Sequence, residues 1–311
     1  MAIVESVLIF IAALFILAKA SSFAVRHTVR FSKLSGINQL AVGFLLLAIS
    51  TSLPEITITI LSTLRGEGLL GLSTAVGSSI GDMTLILGIA AFSGFVTPKR
   101  DRSEVEFALI TGAAVAFIIL ILRTAGPVFG IFGLVVFFAY MHFIVKEGIP
   151  IKNNISKKGL KTPVMIKSAI YAIASVIVVA ISANFLVNSA VEISLAAGVS
   201  EALLGATVIA FGSFMPELTL TVVAMRHRNV ELALGNAAGS VITNVALVGG
   251  IAALGAFTLD LVASVAVSFL IVGCMIGYKM IDRGRFGIME GIFLCSLYFA
   301  YLIIMILISQ I

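Results

Sequence analysis

The sequence of 311 residues is 60% hydrophobic and only 11% charged, and its mean hydropathy is +1.19. A water-soluble domain of this size would not show such values, so the composition excludes a soluble protein. The net charge of +5 would suggest a nucleic-acid partner in a soluble protein, but in a membrane protein the placement of Lys and Arg matters more than their sum, and no nucleic-acid partner is predicted.

Apolar runs long enough to cross a bilayer recur almost from end to end of the chain. A transmembrane helix needs about 20 apolar residues, and only a helix or a closed barrel satisfies its own backbone in lipid. The runs lack the alternation of a membrane barrel, so we predict an all-α membrane protein. Its ten spans lie near residues 3–24, 36–63, 69–95, 104–122, 127–145, 164–188, 201–225, 231–256, 260–280 and 287–308.

Basic residues are concentrated in alternate breaks between these spans. Seventeen of the 20 Lys and Arg residues fall in the odd-numbered breaks, whereas the even-numbered breaks hold only Arg65 and Arg123. Basic loops stay on the cytoplasmic side, so both termini of this multi-pass protein of the cell membrane are predicted to face away from the cytoplasm. The remaining basic residue, Lys19, lies inside the first span and could reach a buried carboxylate.

An offset of 162 residues aligns the second half of the chain with the first without a gap. It places the Pro-Glu pair at 54–55 over the pair at 216–217, and the Gly-Ser pair at 77–78 over the pair at 239–240. Chance similarity between apolar segments would match Leu with Val, but would not align two intramembrane Pro-Glu pairs. The offset therefore indicates an internal duplication.

The duplication predicts the organisation of the chain. Residues 1–146 form the first five-helix repeat, residues 147–162 a cytoplasmic linker, and residues 163–311 the second five-helix repeat. Five is an odd number, so the second repeat enters the membrane in the opposite orientation. Many secondary transporters are built from such inverted repeats, with the binding site near the midplane between them.

Three acidic residues lie well inside the apolar runs, and these are Glu55, Asp82 and Glu217. A charge at such a position costs at least about 2.5 kcal/mol and usually has a function. No Lys or Arg shares these segments, so the sequence offers no neighbouring ion-pair partner. We therefore interpret the three carboxylates as parts of a binding site.

Each of the two glutamates follows a proline. Proline lacks the N–H group and clashes with the carbonyl one turn earlier, here that of Ser50 or Gly212. A carbonyl freed in this way at membrane depth is tolerated where it lines a cavity or binds a cation. Two such kinks at equivalent positions favour a cation site over a simple packing bend.

Helical spacing places further oxygen atoms on the same faces as the carboxylates, because residues four apart lie one above the other. Carboxylates, hydroxyls, amides and carbonyls are the hard ligands that suit Ca²⁺, which takes six to eight oxygens at about 2.3 to 2.6 Å. The faces consist of Thr51, Glu55 and Thr59; of Ser213, Glu217 and Thr221; of Ser78 and Asp82; and of Ser240 and Asn244.

The motifs STSLPE at 50–55 and GSFMPE at 212–217, each followed by a helix with a Gly-Ser pair, resemble the two α-repeats of the sodium/calcium exchangers. These belong to the calcium/cation antiporter superfamily. The resemblance places the α-repeats at 43–91 and 205–253 and implies that ten helices hold a central site. It implies that the following residues bind the ions: Glu55 and Glu217 for calcium, the hydroxyls of Thr51, Ser52 and Ser213, the carbonyls of Ala48 and Ala210, and Ser78 and Ser240 for flanking sodium ions.

The sequence also departs from the family pattern. Ser50 replaces a glycine of the first motif, and Phe214 stands where the second motif usually has a serine, which removes one oxygen. At the equivalent positions 82 and 244 this sequence has a carboxylate, Asp82, and an amide, Asn244. Relatives can have the amide at the first position and the carboxylate at the second. These changes leave calcium as the expected substrate but put the number of sodium ions in doubt.

The sequence therefore predicts a secondary antiporter that exchanges Ca²⁺ for Na⁺ by alternating access and carries no cofactor. A proton/calcium exchanger of the same fold is the alternative, because Phe214 removes an oxygen and Asp82 supplies a third carboxylate that could bind a proton. A channel would conduct without a counter-ion. An enzyme would need a nucleophile with its base, a histidine metal cluster or a phosphate loop, and the spans contain none of these.

Overall fold

The computed structural model describes residues 2–35, 43–64, 66, 68–92, 95–96, 99–148, 162–196 and 210–308. The first half contains α1 (Ala2–Ser35), a π-helical turn (Gly43–Ala48), α2 (Ile49–Thr51), α3 (Leu53–Leu64), α4 (Gly68–Gly81), a second π-helical turn (Asp82–Ile86), α5 (Leu87–Ala91), β1 (Phe95–Val96), α6 (Lys99–Leu122), β2 (Thr124–Ala125) and α7 (Pro127–Gly148).

The second half repeats this order of elements. It contains α8 (Thr162–Ala196), α9 (Ala210–Ser213), α10 (Met215–Arg226), α11 (Val230–Ile242), a third π-helical turn (Thr243–Val248), α12 (Gly249–Leu254), β3 (Phe257–Thr258), α13 (Leu261–Arg283), β4 (Arg285–Phe286) and α14 (Ile288–Ile308). The helix-to-π transition after α4 recurs after α11, so the same backbone distortion follows each of these two helices.

The structure is nearly all helical, but four two-residue strands correct the all-α prediction. They form two antiparallel pairs, in which Phe95 lies opposite Phe286 and Thr124 lies opposite Thr258. Each pair joins a strand of the first half to a strand of the second half. The sequence does not predict strands as short as these, because the residues that pair are far apart along the chain.

Eight described helical segments are long and apolar enough to cross a membrane, so a multi-pass membrane protein is confirmed. The predicted spans 36–63 and 201–225 are not among them. Each is broken by a turn, and residues 36–42 and 201–209 lie outside the described part of the chain. The count of ten therefore stays a prediction, as does the linker, of which residues 149–161 are also not described.

Two helices extend beyond the predicted apolar spans. The first helix continues to Ser35 rather than to residue 24, and α8 continues to Ala196 rather than to residue 188. Arg26, Arg30 and Lys33 consequently lie on a helix and not in a loop. Lys and Arg are good helix formers whose long side chains reach polar surroundings, so charge alone does not end a helix.

The two central segments are Gly68–Ala91 and Val230–Leu254. Of their apolar stretches 89% and 83% are buried, against 22–39% for the other six candidate spans. The outer helices α1 and α8 pack mainly against each other, and α6 packs against α13. The acidic residues of the site are thus carried by or packed against the innermost helices, as far from lipid as this fold allows.

Helices α7 and α12 approach closely because glycines face each other between them. A methyl group added at Gly133 would lie 2.8 Å from the carbonyl oxygen of Ala246, and one added at Gly130 would lie 2.8 Å from that of Gly250. Small residues of this kind let membrane helices pack backbone to backbone. A side chain here must displace main-chain atoms, which cannot move as a flexible side chain can.

We expect Gly133→Ala to destabilise the protein by about 1–3 kcal/mol, because it overpacks this contact. The measurement is the midpoint of thermal unfolding in detergent. Gly126→Ala is the matched control, because a methyl group there would meet nothing within 4 Å. Equal midpoints for the two variants would contradict the close packing of α7 on α12.

Candidate cation site

Three carboxylates lie in the interior, and Glu55, Asp82 and Glu217 are each 0% exposed. Glu55 is in the first turn of α3, Glu217 is in the first turn of α10, and Asp82 begins the π-helical turn after α4. Each carboxylate is near enough to the other two for their charges to interact. The structure therefore brings together the three acidic residues that the sequence singled out.

The Pro-Glu pairs mark the starts of new helices rather than kinks in continuous ones. Ser52 forms a turn before α3 and Phe214 forms a turn before α10, so Pro54 and Pro216 are second residues of their helices. Proline is tolerated there because the first-turn N–H groups have no helical partner. The same free N–H groups and the helix dipole favour a negative charge in the first turn, which is where each glutamate lies.

The two halves meet through their hydroxyl residues. Ser78 of α4 donates a hydrogen bond of 2.9 Å to Oε1 of Glu55. Ser213 of the second half also interacts with Glu55, and Thr51 of the first half lies beside Glu217. Each motif thus places its hydroxyl next to the glutamate of the other motif, which puts both glutamates at the contact between the halves.

Many polar atoms at this position lack a hydrogen-bond partner within the described chain. They are Oε2 of Glu55, both carboxylate oxygens of Asp82 and of Glu217, the hydroxyls of Ser52 and Ser240, and both side-chain polar atoms of Asn244. Buried polar atoms in native proteins are almost always paired, so a cluster of this size requires an explanation. A bound cation would satisfy these oxygens.

The two glutamates differ in their hydrogen bonds to the equivalent serines. Ser78 is bonded to Glu55, whereas the equivalent Ser240 leaves Glu217 without that bond. Asp82 and Asn244 occupy equivalent places after α4 and α11, and both are 0% exposed. The hydrogen bond between Ser78 and Glu55 therefore has no counterpart in the second half.

The structure describes the surroundings of only one of the two backbone carbonyls proposed as ligands. The carbonyl of Ala48 accepts hydrogen bonds of 3.1 Å from the Thr51 hydroxyl and from the Ser52 N–H, so it already has two donors. Ala210 begins α9, but nothing is described of the surroundings of its side chain. The remaining ten predicted site residues, Ala48 included, are all buried.

Sequence reasoning missed one residue that positions a glutamate. The Asn236 amide donates to the backbone carbonyl of Glu217 at 3.4 Å and to the Thr221 hydroxyl at 3.2 Å. The equivalent residue of the first half, Thr74, instead bonds to the Leu70 carbonyl of its own helix. The sequence signal that could have indicated this role is the Gly-Asn pair at 235–236, which is Ser73-Thr74 in the first half.

Carboxylates alone do not form the site. Across the described residues, no three His, Cys, Asp or Glu side chains are grouped closely enough to hold a metal ion by themselves. Lys19 is exposed, with its ammonium 5.5 Å from the centre of the Phe15 ring, so the possibility that it reaches a carboxylate is not realised. A cation here would depend on hydroxyl, amide and carbonyl oxygens as well, the mixed hard set that suits Ca²⁺.

A nearly all-helical membrane fold with a buried set of carboxylate, hydroxyl and amide oxygens is the arrangement expected of a cation transporter. The sequence pattern described as "Sodium/calcium exchanger protein" matches residues 5–146 and 167–307. The chain belongs to the sodium/calcium exchanger protein family, which confirms the resemblance of its two motifs.

Individual relatives extend over most of the chain. It is 27% identical over 292 residues to the uncharacterized membrane protein MJ0091 of Methanocaldococcus jannaschii, covering 93% of this chain and 94% of that protein. It is 24% identical over 287 residues to the sodium/calcium exchanger MaX1 of Methanosarcina acetivorans, covering 79% and 82%. The fold is similar to the solved structure of the sodium-calcium exchanger NCX_Mj, with a TM-score of 0.85, 24% identity and coverage of 96% and 98%.

Proposed function

We propose that this protein exchanges Ca²⁺ for Na⁺ across the cell membrane by alternating access. The observation that carries the proposal is the set of three buried carboxylates, Glu55, Asp82 and Glu217, whose oxygens are largely unpartnered at the contact between the halves. The family and the sodium/calcium exchanger MaX1 among the relatives support the choice of ions.

In this mechanism the glutamates bind Ca²⁺ directly. Hydroxyls of the opposite half complete the shell, because Ser213 lies beside Glu55 and Thr51 lies beside Glu217. Further candidate ligands for Na⁺ are Ser52, Ser78, Ser240 and the carbonyls of Ala48 and Ala210. Two residues are candidate ligands for either ion, and these are Asp82 and Asn244. Monovalent and divalent cations would compete for the same carboxylates.

Competition for shared carboxylates gives a physical reason for obligatory exchange. Without a cation, the occluded site would bury up to three negative charges close to one another. Burial of unpaired charge carries a penalty of several kcal/mol per ion in a protein interior. The carrier would therefore change sides readily with Ca²⁺ or Na⁺ bound and only rarely without them.

The proposed arrangement in the membrane is two inverted five-helix repeats, residues 1–146 and 163–311, joined by a cytoplasmic linker at 147–162. The recurrence of the same elements in both halves supports it. The two segments that match the family pattern begin 162 residues apart, at residues 5 and 167, which is the offset of the predicted duplication. Both termini would then face away from the cytoplasm.

A proton/calcium exchanger is the second candidate, and Asp82 is the observation that favours it. This third carboxylate is 0% exposed and neither of its oxygens has a hydrogen-bond partner among the residues described. A buried carboxyl group in such a place could carry a proton during part of the cycle. Sodium remains the proposed ion because the hydroxyls of Thr51, Ser52 and Ser78 are ligands that proton coupling would not require.

Calcium uptake into proteoliposomes tests the proposal. Vesicles preloaded with Na⁺ and diluted into Na⁺-free medium containing Ca²⁺ should accumulate Ca²⁺, whereas vesicles with equal Na⁺ on both sides should not. Vesicles preloaded with acid test the proton alternative in the same way. Uptake driven only by acid would replace Na⁺ by H⁺, and uptake without any counter-ion gradient would indicate a channel.

A further inference from the structure

The two halves differ at one pair of contacting positions beside the glutamates. The 162-residue offset places Ser52 over Phe214 and Gly81 over Thr243. The Phe214 side chain is 0% exposed, and a methyl group added at Gly81 would lie 2.5 to 2.9 Å from three atoms of its ring. The ring thus occupies the space that the absent side chain of Gly81 leaves.

The first half is polar where the second half is aromatic. Ser52 is 0% exposed and its hydroxyl has no hydrogen-bond partner within the described chain, so this oxygen is available to a cation. In the second half the Phe214 ring is held edge-to-face by Tyr298, at 5.8 Å and 88°, and by Phe211, at 5.2 Å and 72°. The ring offers no oxygen and is fixed by its neighbours.

The position of the ring makes this difference matter for ion binding. Phe214 is the turn residue before α10, which carries Glu217, and it contacts Gly81, the residue before Asp82. Helix α10 also packs against the π-helical turn Asp82–Ile86. The ring therefore lies between the backbone segments that bear two of the three carboxylates.

We propose that the contact between Phe214 and Gly81 closes one of two symmetry-related monovalent-cation positions, so that fewer Na⁺ ions exchange for each Ca²⁺ than two equivalent halves would bind. This inference rests on the proposed function, because it concerns the Na⁺ stoichiometry of that site. Both members of the pair are needed: the ring fills the space, and only glycine at position 81 leaves room for the ring.

The first test is the Na⁺ dependence of exchange in Phe214→Ser, which restores the hydroxyl that Ser52 supplies in the other half. The Hill coefficient for Na⁺ should rise by about one, because the variant gains one Na⁺ site and cooperativity increases with the number of coupled sites. The reversal potential of exchange, measured at fixed ion gradients, should shift in the direction of a larger number of Na⁺ ions. Phe214→Leu, which remains apolar, should keep the wild-type values.

A second variant guards against loss of structure. Gly81→Thr alone should unfold the protein or abolish Ca²⁺ binding, because its side chain would collide with the ring. Gly81→Thr combined with Phe214→Ser introduces at both positions the residues that the 162-residue offset gives as their equivalents, Thr243 and Ser52, and should recover a monodisperse protein with the raised Hill coefficient. This double variant also refills the space that Phe214→Ser empties.

The outcomes separate the two proposals. If the wild-type protein is driven by Na⁺ but neither the serine variant nor the double variant changes the Hill coefficient or the reversal potential, the inference about Phe214 is wrong and the proposed function stands. If Ca²⁺ uptake by the wild-type protein does not respond to Na⁺, the Na⁺ coupling of the proposed function is wrong, and the inference fails with it.

Discussion

Glu55→Gln and Glu217→Gln should each reduce Ca²⁺ exchange by at least about 100-fold, corresponding to roughly 2.7 kcal/mol. Glutamine has nearly the shape of glutamate but removes the charge that compensates a divalent ion in the interior. Oε2 of Glu55 and both oxygens of Glu217 have no hydrogen-bond partner in the part of the chain that is described, so under the proposed function a bound cation would be the partner of these atoms. Initial rates of Ca²⁺ uptake into Na⁺-loaded proteoliposomes measure the effect.

Glu5→Gln is the matched control for these variants. Glu5 is a glutamate in the first turn of a helix, as Glu55 and Glu217 are, but its side chain is exposed. The same change of charge there should leave the uptake rate within about twofold of the wild type, because exposed substitutions rarely alter stability by more than about 0.5 kcal/mol. Wild-type flux in Glu55→Gln, with the control also active, would remove Glu55 from the ion site.

The sequence was sufficient to predict that the three carboxylates lie in the interior, for a physical reason. A charge in lipid is so unfavourable that Glu55, Asp82 and Glu217 had to turn inward, and all three are 0% exposed. The duplication then paired the residues of one motif with those of the other. The resemblance to the family followed from two six-residue motifs, and the family pattern matches residues 5–146 and 167–307.

Other features of the site depend on contacts between distant segments and carry no local signal. The ring of Phe214 fits because Gly81, on a different helix, lacks a side chain. Asn236 bonds to the backbone of Glu217 only because α10 and α11 pack side by side. Tertiary packing brings together residues that are far apart along the chain. Neither hydrophobic periodicity nor residue spacing predicts such contacts.

The ends of the helices do not coincide with the ends of the apolar spans, for a related reason. Helix α1 runs through Arg26, Arg30 and Lys33 because apolar length determines where a span leaves the lipid, whereas backbone hydrogen bonds determine where the helix stops. The Pro-Glu motifs show the opposite case. There the helix stops inside the predicted span, because Pro54 and Pro216 belong to the first turns of new helices.

Asp82→Asn should weaken Ca²⁺ binding much more than Na⁺ binding. Asp82 is one of three interacting carboxylates, and its loss leaves only the negative charges of Glu55 and Glu217 to compensate a divalent ion. A penalty of about 2 kcal/mol for Ca²⁺ raises its half-saturating concentration by about 30-fold. Coulomb energy scales with the charge of the ion, so the penalty for each Na⁺ is about half as large, or about fivefold.

A second substitution can restore the lost charge at the equivalent position of the other half. It tests whether Ca²⁺ binding depends on the number of carboxylates or on the position of Asp82. Asn244 is equivalent to Asp82 by the 162-residue offset, is 0% exposed and has no hydrogen-bond partner for either polar atom within the described residues. Asp82→Asn combined with Asn244→Asp returns the third carboxylate to the mirrored place and should recover most of the Ca²⁺ affinity.

Equilibrium binding of Ca²⁺ to the purified protein at several Na⁺ concentrations measures both ions in one experiment. An unchanged half-saturating Ca²⁺ concentration in Asp82→Asn would mean that this carboxylate does not act on the bound ion, and the selectivity for Ca²⁺ would then rest on Glu55 and Glu217 alone.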